Sequence, residues 1–94
     1  MASSPALHAI DEAIRAVRRL EADGLRTSSG ASASPELSRL LQELTARRHE
    51  VAAGGTVDRR WTGATVRWVA EWLPEHELGL LARLGAIARA STAS

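Results

Sequence analysis

Three histidines, eleven carboxylates and no cysteine are the groups from which this chain could build an active site. General acid–base catalysis needs titratable side chains that converge in one pocket. His8 and His49 instead fall on the polar faces of two amphipathic segments, and His76 sits between Glu75 and Glu77 in a first turn. No His-x-x-x-His or Glu-x-x-His spacing occurs, so a metal site would need ligands from several segments. Without cysteine there is no thiol nucleophile, disulfide or thiolate ligand, and redox chemistry does not constrain the compartment. We therefore expect no catalytic residues, no metal and no cofactor.

Recognition is the chemistry left to the remaining residues. All twelve basic residues are arginine, and the aromatics are Trp61, Trp68 and Trp72. Tryptophan is enriched at binding hot spots, but in a chain without phenylalanine it must also supply core bulk. Trp68 is expected in the core, and Trp61 and Trp72 are divided between core and interface. The absence of lysine fits a GC-rich bacterial coding sequence better than a functional demand. Formal net charge is +1, and only Arg18-Arg19, Arg47-Arg48 and Arg59-Arg60 concentrate positive charge, each close to Glu21, Glu50 or Asp58. A nucleic-acid binder gathers such charge on one face or arm. A small DNA-binding regulator is thus an alternative only, with Arg47, Arg48, Arg59 and Arg60 as its phosphate contacts.

Helices must position these groups. Ser3-Ser4-Pro5, Ser34-Pro35-Glu36 and Leu73-Pro74-Glu75 each read as a helix opening. Proline loses nothing at the first helical position, and a preceding serine can cap a free N–H. The pattern predicts helices over 5–22, 35–53, 59–73 and 74–90, with acids in first turns and arginines near last turns, as the dipole favours. In the first, Leu7, Ile10, Ala13, Ile14, Val17 and Leu20 form one apolar face, Asp11 and Arg15 pair at i,i+4, and Gly24 ends the helix. In the second, Leu37, Leu40, Leu41, Leu44 and Val51 form the stripe, and Gly54-Gly55 stops it. Arg48 projects from the middle of that stripe, whereas Arg47 lies at its edge within reach of Glu43. Arg48 is accordingly a candidate for a partner's acid, against the plainer reading that its stem crosses the leucines to a carboxylate or water.

The third helix has two openings. Starting after Asp58 puts Trp61, Thr65, Trp68 and Trp72 on one face; capping at Thr62 makes Trp61 a hydrophobic staple on Val66. Arg59 and Arg60 oppose the dipole in the first version, which favours Thr62. Pro74 then turns the chain at Leu73. On the last helix Leu78, Leu80, Leu81, Leu84 and Ile87 cover about half the circumference. Gly79, Ala82, Ala86 and Ala90 line much of the rest, between Arg83 and Arg89. So much apolar and small surface exceeds what one neighbour covers, which marks the segment for assembly.

Some of the chain is resembled elsewhere. His76-Glu77-Leu78-Gly79 followed by Gly85 resembles the histidine helix of phosphotransfer domains, which implies a phosphorelay. Trp61-Thr62-Gly63 resembles the W-x-G turn of the small secreted WXG100 hairpins. Ser34-Pro35-Glu36-Leu37, Ala53-Gly54-Gly55, Val66-Arg67-Trp68-Val69-Ala70-Glu71 and Leu80-Leu81 resemble bacterial effector-associated, death-domain-like adaptors. That last resemblance, over residues 34–90, implies homotypic pairing in a signalling or defence assembly.

The resulting expectation is an all-α protein, a small four-helix bundle with a flexible linker over 24–34 and a disordered tail over 91–94. About 70 residues must supply the core, a size at which helical chains often need a partner. MASSPALHAI lacks a signal-peptide pattern and no apolar run nears the roughly 20 residues of a membrane span, so a cytoplasmic location is expected. The expected role is a non-catalytic protein-interaction or adaptor module, binding a protein partner or a second copy. The helix 3–4 hairpin is its expected contact, with Arg48, Trp61, Trp72, Leu80, Arg83, Leu84 and Ile87 as partner-binding residues.

Overall fold

Ser4 Oγ accepts the Leu7 N–H at 3.0 Å and Pro5 takes the first helical position, so the chain enters its first helix through a serine cap. The structure, a computed structural model describing residues 4–92, contains four α-helices. They are α1 (Pro5–Ala22), α2 (Ser34–Ala52), α3 (Arg59–Trp72) and α4 (Gly79–Thr92), with a 3₁₀ turn at Glu75–Glu77 before the last. No strand occurs among the described residues, and the fold is the expected all-α four-helix bundle. None of the described helices is long and apolar enough to cross a membrane.

Three helix openings differ from expectation. Ala33, not Ser34, is the N-cap of α2, and Ser32 Oγ takes the Ser34 N–H at 3.2 Å. Asp58 caps α3 by accepting the Arg60 N–H at 2.8 Å, which places Thr62 inside the helix, its hydroxyl on the Asp58 carbonyl. The carboxylate supplies at the helix start the negative charge that Arg59 and Arg60 oppose, so the cap outweighs the dipole argument. Pro74 opens the 3₁₀ turn and not α4, which starts only at Gly79 and runs on to Thr92. The rest of the tail expected over 91–94 lies outside the described residues. Asp58→Ala is expected to cost about 1 kcal/mol, a fall of roughly 4–8 °C in thermal midpoint followed by circular dichroism.

α1 packs against both α2 and α4, and α3 packs against α4. The expected stripes supply the core: Ile10, Ala13 and Val17 from α1, with Leu37, Leu40 and Leu44 from α2, have no exposed surface. Leu41 and Val51 are half-buried at its margin. Residues 24–34, which composition suggests as a flexible linker, bury Leu25, Thr27 and Ala33. The segment closes on itself through Thr27 N–H to Ala31 O and Ala33 N–H to Leu25 O, and Ser28 N–H reaches Trp72 O at 2.8 Å. That last bond satisfies a carbonyl that the end of α3 would otherwise leave without a partner. Between α2 and α3, Gly54 has φ +97°, and a Cβ on Gly55 would lie 2.9 Å from the Glu50 carbonyl oxygen. Only glycine fits this turn without displacing backbone.

Candidate interaction surface

Four of the seven expected partner-binding residues are core. Trp72 is 8% exposed and Leu80 3%, and Leu84 and Ile87 have no exposed surface. The physical reason is the position of α4, which is covered on one side by α1 and on another by α3. Its leucine face is satisfied inside the molecule and offers nothing to a partner. Trp72 stacks edge-on against Trp68, centroids 5.4 Å apart, and its indole N–H finds no acceptor among the described residues. It contributes bulk, and the core role expected of Trp68 falls to Trp72, with Trp68 half-buried.

Both arginines from that set are tied within the chain. Arg48 Nε donates to Asp11 Oδ1 at 2.6 Å, joining α2 to α1, which is the plainer of the two readings of this side chain. Asp11 is thereby taken from the expected Arg15 pairing, and Arg15 pairs with Glu12 instead. Arg83 Nη1 lies 3.3 Å from the other oxygen of Glu12, so α4 and α1 share that carboxylate. Exposed pairs of this kind are worth about 0–1 kcal/mol each.

Trp61 remains partly accessible, in a seam where α3 faces α2. Its Nε1 donates to Glu43 Oε1 at 3.1 Å, and the Arg47 guanidinium lies 5.4 Å from its ring centroid. About two turns along, Arg39 stands 4.8 Å over Trp68. Glu43, expected to meet Arg47, is thus used by the indole, while Arg47 pairs with Glu50 at 3.0 Å. The seam is a ladder of cation–π contacts that fills the gap with long side chains. Trp61 Nε1 and Arg47 Nη2 are spent internally, on Glu43 and Glu50.

A second surface lies on the outside of the α3–α4 hairpin. Arg59, Gly63, Val66 and Ala70 follow one another at i, i+4, i+7 and i+11 along α3, as do Leu78, Ala82, Gly85 and Arg89 entering and following α4. Gly63, Val66, Gly85 and Ala88 floor a shallow groove of about 500 Å³ bordered by Arg59, Arg67 and Arg89. Leu78, 58% exposed, is the large hydrophobic side chain left in solvent among the described residues. The apolar half-circumference expected from the sequence includes it, but at 100° per residue it stands about 120–180° from Leu80, Leu84 and Ile87, so the face those three bury leaves it outside.

Both glycines in the groove sit in helix interiors. A Cβ at Gly63 would meet only its own helix's Arg67 Nη1 at 3.7 Å, and at Gly85 only Arg89 Nη1 at 3.4 Å. No packing inside the chain calls for glycine at either place, although each costs about 1 kcal/mol of helix propensity.

His8, His49 and His76 are exposed and lie on α1, α2 and the 75–77 turn. His76 Nε2 is 4.0 Å from Glu77 Oε1 in that short turn, not on a long phosphotransfer-type helix. Trp61-Thr62-Gly63 lies within α3, so the W-x-G turn is not formed. No group of three or more His, Asp or Glu side chains is placed to hold a metal among the described residues. No family model matches the chain, and neither a curated protein nor a solved structure matches it.

Proposed function

We propose that this chain is a non-catalytic protein-interaction module whose docking face is the outside of the α3–α4 hairpin. One observation carries the reading: two helix-interior glycines, Gly63 and Gly85, floor the same groove, and only the movable guanidinium ends of Arg67 and Arg89 lie near where their side chains would be. Glycine lets another backbone come close where any side chain would hold it off. The exposed Leu78 supplies an apolar anchor at the end of the same α4 stripe.

The nucleic-acid alternative has less support. Of its four phosphate contacts, Arg47 is held by Glu50 and Trp61, and Arg48 by Asp11. Trp72, Leu80, Leu84 and Ile87, expected from the sequence to form the interface, are all buried within one molecule and form no part of this face.

The test is affinity capture with the tagged chain and its Gly63→Gln and Gly85→Gln variants. Both substitutions are expected to leave helicity and thermal midpoint at or above the wild-type value, because glutamine is a better helix former. Both are expected to lose the captured protein. Retention of the same protein by both variants would remove the hairpin face from consideration.

A further inference from the structure

Gly63 and Gly85 each stand four residues before an arginine, and the repetition brings two guanidinium groups to one groove. A helical side chain leans toward the N-terminus and covers the turn before its own Cα. Arg67 therefore lies back over Gly63, its Nη1 3.7 Å from where a Cβ would stand, and Arg89 lies over Gly85 at 3.4 Å. Arg59 borders the same groove, and no carboxylate lines it. Two other arginine clusters carry their acids with them. The cleft between α1 and α4 sets Glu12 and Glu77 among Arg15, Arg19 and Arg83. Arg47 has Glu50, and Arg48 has Asp11. Arg59 and Arg67 take part in no ion pair among the described residues.

We infer that this groove takes an acidic segment of a partner protein, with carboxylates on both sides of a small or apolar side chain. The inference rests on the docking face proposed above and names the chemistry of its occupant. Charge complementarity is the first argument. Arg67 rises from α3 and Arg89 from α4, so each helix presents a guanidinium to an incoming acid. Arginine suits this task because its planar fork meets both oxygens of a carboxylate. The floor is the second argument. Gly63, Val66, Gly85 and Ala88 admit a closely approaching backbone and one short apolar side chain between the guanidinium groups. A nucleic acid gains little from such a floor, because its phosphates are held by charged and hydrogen-bonding groups. Glu71, exposed one turn beyond Arg67, is the third. Duplex DNA carries a negative charge about every 1.7 Å and would run its phosphates past that carboxylate. A peptide can end its acidic stretch before reaching it.

The experiment is selection from a display library of random linear peptides on the full chain, followed by fluorescence anisotropy with the selected peptides. A labelled DNA duplex is the second probe. Wild type is compared with Arg59→Gln, Arg67→Gln and Gly85→Gln, each checked for helicity by circular dichroism. The selected peptides are expected to be acidic, and their binding to weaken as salt is raised. Each arginine substitution is expected to weaken binding roughly tenfold or more at unchanged helicity, the loss of a hydrogen bond to a charged group. Gly85→Gln is expected to abolish it. Selected peptides that lack acidic residues, or that ignore both arginine substitutions, would overturn the inference. If those peptides were still lost on Gly85→Gln, the docking face would stand and only its occupant would change. A duplex held through Arg59 and Arg67 in place of any peptide would give the groove to nucleic acid and overturn both readings. Both would also fall if neither probe bound, or if peptide binding ignored all three substitutions.

Discussion

Replacing Leu84 or Ile87 by alanine is expected to destabilise the folded chain by about 2–5 kcal/mol, the range for deleting a buried aliphatic side chain and leaving part of its volume empty. Both have no exposed surface and belong to the single core cluster that joins all four helices. A domain of this size is stable by only about 5–15 kcal/mol, so either substitution removes a large fraction of the total. Chemical denaturation of the purified variants reads the effect directly, as a lower midpoint with an unchanged slope. The result separates two roles for α4. A core residue weakens the monomer, whereas an interface residue would leave monomer stability alone and weaken association. Loss of association at full monomer stability in Ile87→Ala would mean that α4 turns its leucine face outward.

The four helices were legible because their signals are local. Pro5 and Gly24 bracket α1, Gly54-Gly55 close α2, and apolar residues at three- and four-residue spacing mark the buried face of both. The errors came where two local signals competed or a distant neighbour decided. At the start of α3, Arg59 and Arg60 argued against a helix that Asp58 nevertheless caps. In residues 24–34 the small polar residues dominate composition, yet Leu25 and Ala33 are buried because the loop folds against the ends of α1 and α3. The apolar circumference of α4 was counted correctly and attributed wrongly. It has two intramolecular neighbours, α1 and α3, and no pattern within residues 74–90 records how many neighbours a helix has. Arg48 is the same problem in charged form, since its partner Asp11 is 37 positions away. What the sequence does hold, and only the packing reveals, is the cost-bearing glycine at 63 and 85.

Those glycines lead to the second large effect, a gain. Gly63→Ala combined with Gly85→Ala is expected to raise monomer stability by about 1–2 kcal/mol, the summed helix propensity of the two positions. The gain requires ordinary helical backbone and room for a methyl group, and both hold. Neither residue has a positive φ, and the nearest atoms are the flexible ends of Arg67 and Arg89, at 3.7 and 3.4 Å. The sites are about a groove's width apart on different helices and share no partner, so their contributions should add. Thermal unfolding at a concentration low enough to keep the chain monomeric measures the gain as a higher midpoint. Glycine at a position where alanine is better for the folded monomer has to be accounted for by something other than folding. A double variant that came out less stable than wild type would show an internal reason for glycine, and the groove would then be a product of packing within the chain and not a surface kept open for a partner.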